Sequence, residues 1–250
     1  MGQQDTPYNE DYYRTGGYAD LNTGLTGQYF WARRFYAGLV RRYCRPGGRV
    51  LEVGCGLGHV LARLQDQYEA YGIDISAYAV DQARIHAPRA KAEVLAVEDI
   101  GQYGAEFFDA MIAVHVFEHL EQPADVAKIC FDALRPGGVL IMATPNLAAP
   151  LKARKGDRWF GYTDPTHISM KVPDAWLTML RGVGFEVKRA FGDGMWDVPY
   201  VPVIPAILQL PIVGFPAIIQ TLSGIPMIPV GLSESLIAVV QKPPARGESA

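Results

Sequence analysis

Glycines, acids and histidines interrupt the apolar runs of this chain at a few places where chemistry could be done. Val50-Leu51-Glu52-Val53 runs into Gly54, Gly56 and Gly58 at alternate positions, and an apolar helical pattern follows at once. A strand, tight turn and helix of this kind lets backbone approach a ligand more closely than a β-carbon permits, and the helix start offers unpaired N–H groups to it. Asp74 closes the next apolar run, Tyr71-Gly72-Ile73, twenty residues beyond Gly54, the length of one strand–helix–strand unit. The spacing is G-x-G-x-G, with His59 where a dinucleotide fingerprint has its third glycine.

Glu52, the glycine loop and Asp74 resemble motif I and the following acidic position of class I S-adenosylmethionine-dependent methyltransferases of the small-molecule, type 11-like kind. Further matches follow in order. Phe108 to Val114 is similar to the family's fourth strand, His115 to Leu120 to the loop behind it, and Leu134-Arg135-Pro136-Gly137-Gly138 to the turn into strand five, continued by Thr144-Pro145-Asn146. The resemblance implies S-adenosyl-L-methionine as cofactor, with Glu52, Gly54, Cys55, Gly56, Gly58, Asp74 and Ile75 around it and Val114 and His115 lining its pocket. It also implies that Asp74 accepts hydrogen bonds from both ribose hydroxyls. An acidic residue after strand three, Glu98 or Asp99, would lie near the adenine amino group.

Methyl transfer from a sulfonium is an in-line displacement, so the protein must align the partners, exclude water and, for a hydroxyl acceptor, take a proton. Histidine is the natural base near neutrality. His167, in Thr163-Asp164-Pro165-Thr166-His167, is the first choice; the segment resembles the D-P-x-H of small-molecule and sugar methyltransferases, and Asp164 is placed to orient the ring. A structural histidine tying down an insertion is the competing reading. His119, behind Glu118, is the second choice and reads more readily as structural than as an acceptor contact. No His, Asp or Glu spacing demands a metal, so metal independence is expected, although Asp164 and His167 offer a pair of ligands.

Alternating strand and helix patterns must position these residues. Strands are expected at 49–53, 70–74, 92–97, 108–114, 138–144, from 184, and within 233–241, and helices at 28–43, 58–67, 77–86, 123–134 and 173–182. The fold class is therefore α/β: a Rossmann-like seven-stranded, mostly parallel sheet with helices on both faces. By resemblance, the last strand inserts antiparallel between five and six. Residues 1–27 form an arm dense in tyrosine, and related enzymes often cover the cofactor with N-terminal aromatics, which makes Tyr12, Tyr13 and Tyr18 the candidates for a lid over a methyltransferase domain at 28–250.

Two attachments break the alternation. Residues 148–172 carry Lys152, Arg154, Lys155 and Arg158 beside the D-P-T-H segment. Residues 198–233 hold no charge and seven prolines in 36 residues, with no proline-free run near the ~20 residues a membrane span needs. They read as a cap over a sheet edge or a homodimer interface. The sharper reading is a peripheral contact with membrane or a lipid-linked substrate, the four basic residues meeting phosphates.

With 250 residues, 49% of them hydrophobic, and a net charge of −3, the chain suits one α/β domain and lacks the basic footprint of nucleic-acid binding. Cys44, Cys55 and Cys130 form no C-x-x-C, and Met1 to Asp11 lacks the pattern of a signal peptide, so a cytoplasmic protein is expected. Neither G-x-S-x-G nor a P-loop is present. A nicotinamide oxidoreductase would want the glycine that His59 replaces, and a non-catalytic module would have little use for an intact Glu52, glycine loop and Asp74. The expected function is methylation, at oxygen, of a small or lipid-linked molecule.

Overall fold

A computed structural model describes residues 7–15 and 28–245. Tyr18 lies outside the described residues. The first helices are α1 (Glu10–Thr15) and α2 (Gln28–Tyr43). Strands and helices then alternate as β1 (Arg49–Val53), α3 (Leu61–Leu64), β2 (Glu69–Asp74), α4 (Ala77–His86), β3 (Lys91–Val94), β4 (Phe108–Val114), α5 (Pro123–Ala133) and β5 (Leu134–Pro145). Short turns α6 (Lys152–Lys155) and α7 (Phe160–Thr163) precede α8 (Pro173–Val183) and β6 (Glu186–Gly192), and α9 (Ala206–Val213) and α10 (Phe215–Ser223) precede β7 (Ser235–Gln241).

The seven strands form one sheet in the order β3-β2-β1-β4-β5-β7-β6. β7 runs antiparallel to both neighbours, pairing Ile141 with Val239 and Phe191 with Ile237; the other pairs are parallel. Alternate residues of the central strands enter two cores. Val50, Ala110, Ile112 and Ile141 join Phe35, Tyr36 and Leu39 of α2 on one face, while Leu51, Met111, Leu140 and Met142 join Phe117, Trp176 and Leu180 on the other. A sheet covered on both faces needs apolar residues along its inner strands, which is why β1 and β4 are apolar apart from Arg49, Glu52 and Asp109.

Local signals explain most boundaries. Ser76 caps α4, its Oγ accepting from the Ala79 N–H at 3.2 Å, and Pro123 and Pro173 open α5 and α8. Three elements differ from expectation. α3 is confined to 61–64, because Gly58 sits at φ +77 and the helix closes at Gln65. β3 ends at Val94, and a 3₁₀ segment from Val97 to Tyr103 buries Val97 and Ile100. β5 begins at Leu134, ahead of the Pro136-Gly137-Gly138 turn, with its register to β4 shifted between Phe108 and Ala110.

The two attachments are clamped to each other. Trp159, fully buried, donates its indole N–H to Glu234 at 2.6 Å, and the Tyr200 hydroxyl donates to the same carboxylate. Lys155 is buried and binds the Asp197 carboxylate at 2.8 Å and its carbonyl at 2.6 Å, so it is spent inside the protein and does not face outward to meet phosphate groups. Lys152 lies over the Trp159 and Tyr162 rings, whereas Arg154 and Arg158 are exposed.

Candidate active site

The C-terminal ends of β1, β2 and β4 open into a cavity of about 540 Å³. In an open parallel sheet this is the crevice where ligands bind, because adjacent loops diverge beside the first strand. Glu52, Gly54, Cys55, Gly56, Asp74 and Ile75 line one wall, and Glu98, Val114, His115 and His119 also reach it.

The glycine loop is built around two carboxylates. Glu52 is buried and accepts from the Leu61 N–H at 3.0 Å, bracing the helix behind the loop; burial pushes its carboxyl up to about 8 against the opposing pull of Arg33. Asp74 accepts from the Gly56 N–H on Oδ2 and from the Ser76 N–H on Oδ1, both at 2.9 Å, and burial raises its carboxyl above the ordinary range despite these bonds. A carboxylate has about four lone-pair sites, so each oxygen of Asp74 keeps capacity for one further donor. Gly54 and Gly56 adopt φ of +63 and +49, which strains any residue with a β-carbon. Gly58 does not line the cavity: a β-carbon there would sit 2.7 Å from Ala83, so this glycine lets the loop pack on α4.

Of the two acids behind β3, Glu98 lines the cavity and Asp99 does not. Three tyrosines of the arm, Tyr8, Tyr12 and Tyr13, form the opposite wall, with Tyr13 against Gly56. Tyr12 and Tyr13 stand where a lid would. Tyr8 belongs to the tyrosine-rich arm but was not among the lid candidates, and Arg33 was not expected at the site, since its position inside an amphipathic helix gives no signal of one.

His115 follows β4 with φ +56, a left-handed conformation that non-glycine residues seldom adopt away from functional sites. Its Nδ1 lies 3.0 Å from Glu118 Oε1, and Glu118 is fully buried with Oε2 unpartnered. Beyond it, His119 and His167 stand with ring centroids 4.7 Å apart. His119 lines the cavity; His167 and Asp164 are set back from it.

The hydrogen bonds fix the tautomer of His167. His167 Nδ1 is 2.7 Å from the Gly161 carbonyl oxygen, which can only accept, so Nδ1 carries the proton and Nε2 the lone pair. Thr166 gives its hydroxyl proton to Asp164 Oδ1 at 2.5 Å, and His119 Nδ1 faces two hydroxyls, Thr166 Oγ1 at 2.8 Å and that of Tyr8 at 3.1 Å; with Nδ1 protonated, both oxygens accept from it and Nε2 keeps the lone pair. Asp164 also accepts from the Tyr12 hydroxyl at 3.0 Å and the Thr166 N–H at 2.9 Å. The carboxylate expected to orient His167 thus acts on His119, through Thr166, and Gly161 orients His167. Burial lowers the pKa of His119 and keeps its ring neutral. Glu118, His119 and His167 each place a donor atom within 4.8 Å of the others, so these three could hold a cation. Spacing could not show this group, since its members come from two distant loops.

Residues 28–190 match the family model of the methyltransferase domain. The chain belongs to that family. Its sheet, with β7 antiparallel between β5 and β6, has the class I methyltransferase fold. It is 36% identical over 112 residues to a ubiquinone biosynthesis O-methyltransferase of Xanthomonas campestris pv. campestris; the match covers 42% of this chain and 46% of that one, so the chain spans about half the length of the curated relatives it matches. Its fold is similar to a SAM-dependent methyltransferase from Archaeoglobus fulgidus, with TM-score 0.60 at 18% identity over 86% of this chain and all of that one. The [4+2]-cyclase SpnF is equally similar, with TM-score 0.58 at 21% identity over 85% and 82% of the two chains. Fold alone therefore does not choose the reaction.

The residues present fit the cofactor. The spare lone pairs of Asp74 suit ribose hydroxyls, and the glycine turn leaves room that a β-carbon would take. Bound S-adenosyl-L-methionine supplies the electrophilic methyl. Asp74 and the glycine turn would orient it, and Tyr8, Tyr12 and Tyr13 would cover it from the opposite wall.

Proposed function

We propose that this methyltransferase transfers the methyl group to a hydroxyl of a small or lipid-linked acceptor, with His119 as the base and His167 behind it. The observation that supports the reading is the Asp164–Thr166–His119 chain, which sets the Thr166 and Tyr8 hydroxyls against Nδ1 of a half-buried ring at the cavity wall, where burial favours the neutral form. With Nδ1 protonated, that arrangement leaves Nε2 able to take the proton an attacking hydroxyl must lose. It moves the base from His167, the first choice by sequence, to His119. The O-methyltransferase name carried by relatives such as the Xanthomonas protein supports oxygen as the acceptor atom.

The arm completes the site in this reading. Tyr12 ties it to Asp164, so docking of α1 and orientation of the base are linked. The test is an acceptor panel, a simple phenol and a hexose, each with and without a long alkyl chain, incubated with methyl-labelled cofactor. NMR of the product is expected to place the label on oxygen. Label found on nitrogen or carbon, with hydroxyl acceptors inert, refutes it.

A further inference from the structure

The 198–233 attachment is turned inside out relative to a soluble helix pair. Surface helices normally bury aliphatic side chains and expose polar ones. Here Gln209 and Gln220 are the buried residues of α9 and α10, while Val203, Ile207 and Ile212 are 88%, 75% and 77% exposed. Gln209 accepts from the Tyr200 and Val201 N–H groups and donates to the Val201 and Ile204 carbonyls. Gln220 accepts from the Met227 and Ile228 N–H groups and donates to the Gly192 carbonyl. The amides therefore satisfy loop backbone from within, and what faces outward is isoleucine, leucine and proline, with Phe215.

Water does not favour such a face, and its composition selects between the two media that would. Protein interfaces enrich Tyr, Trp, Phe, Met and Arg and carry a polar rim, and of these types residues 198–233 expose only Phe215 and Met227. Residues 198–233 contain no charged side chain, and their exposed aliphatics continue over both helices. Lipid is the fitting occupant. No single helix among the described residues is long and apolar enough to cross a membrane; the pair is bent by 58°. Its helices of 8 and 9 residues are only about 12 and 14 Å long, against ~30 Å of hydrocarbon. Seating in one leaflet is what that length allows. α10 packs on α2, whose Arg34 and Arg42 are exposed cations suited to anionic headgroups, while Arg41 is held by Gln67 and the Arg63 carbonyl.

We propose that α9 and α10 form an in-plane anchor that seats its Ile207, Ile212 and Leu222 face in one leaflet of an anionic lipid bilayer, with Arg34 and Arg42 of α2 at the headgroups. This seating is independent of the acceptor and of methyl transfer.

The test is flotation of the full chain with vesicles of phosphatidylcholine alone or mixed equally with phosphatidylglycerol. Wild type is expected to float, and more fully with the anionic mixture. Ile207→Gln/Ile212→Gln/Leu222→Gln should reduce the floated fraction about tenfold or more, the three side chains being exposed and therefore dispensable for folding. Arg34→Gln/Arg42→Gln should remove the preference for anionic vesicles. As an independent reading, Ile212→Cys carries a polarity-sensitive fluorophore; Cys44, Cys55 and Cys130 are buried, so labelling falls on the new thiol, and its emission should shift to the blue when vesicles are added. Wild type staying in the soluble fraction with both vesicle types, the triple variant floating like wild type, or a blue shift that follows protein concentration without lipid would each overturn the anchor; the last would make the face an interface between copies.

Discussion

The rings of His119 and His167 lie 4.7 Å apart, centroid to centroid, with their planes tilted by 57°. His167 commits its Nδ1 proton to the Gly161 carbonyl, and His119 Nδ1 faces the Thr166 and Tyr8 hydroxyls. The two imidazoles therefore belong to one small group at the edge of the cofactor cavity.

Asp74→Ala removes both oxygens proposed to take the ribose hydroxyls. Two hydrogen bonds to a charged acceptor contribute about 1.5–3 kcal/mol each, so S-adenosyl-L-methionine affinity should fall by about two orders of magnitude or more. Calorimetric titration of wild type and variant measures this. Equal affinities would remove Asp74 from the cofactor site.

Glu52 gives the fold a pH dependence of definite sign. Its folded carboxyl titrates at about 8, above the ordinary value of 4.5, so the native state holds a proton that the unfolded state has lost between those values. Its contribution to stability is full below about 4.5 and is lost as pH rises through about 8. Melting temperatures of wild type should therefore fall relative to Glu52→Gln as pH is raised across that window. A pH-independent difference would contradict a buried, protonated Glu52.

Chelation separates the two uses of the Glu118, His119 and His167 group. As bases the imidazoles need no ion, so EDTA should leave methyl transfer unchanged. Loss of activity on chelation, restored by Mg²⁺ or Mn²⁺, would assign these three residues to a cation and end the metal-independent account.

Lys155→Met leaves Asp197, whose side chain is 15% exposed, without its cation. Breaking a pair buried to this degree costs up to about 3 kcal/mol, which for a chain of this size lowers the melting temperature by up to roughly 6–12 °C. The loss should be largely recovered in Lys155→Met/Asp197→Leu. A melting temperature unaffected by the single change would show that the clamp between the two attachments contributes nothing.

The sequence carried the frame of the site because glycine and buried apolar residues speak locally. The Val50-to-Gly58 run and the Leu134-to-Gly138 turn each encode strand, turn and partner without reference to the rest of the chain. Residues whose roles depend on a distant partner were harder to read. Asp164 lies three positions from His167, and proximity in sequence paired them, whereas the fold pairs Asp164 with His119 through Thr166. Lys155 sat in a basic cluster that looked outward, and only Asp197, at the edge of the other attachment, draws it inward. Gly58 shares the alternation of Gly54 and Gly56, but α4 occupies its far side. The apolar composition of 198–233 was plain; that Gln209 and Gln220 face inward was not.

His119 carries the central claim, and methyl transfer by wild type and His119→Ala, followed against pH with saturating S-adenosyl-L-methionine and a hydroxyl acceptor, tests it most directly. Removing a general base costs about 10²–10⁴ in rate. The account predicts a loss of that size with cofactor affinity preserved, and in wild type an acidic limb below 6.5, because burial lowers the pKa of His119. A variant that turns over like wild type, or an acidic limb that survives the substitution, would contradict it.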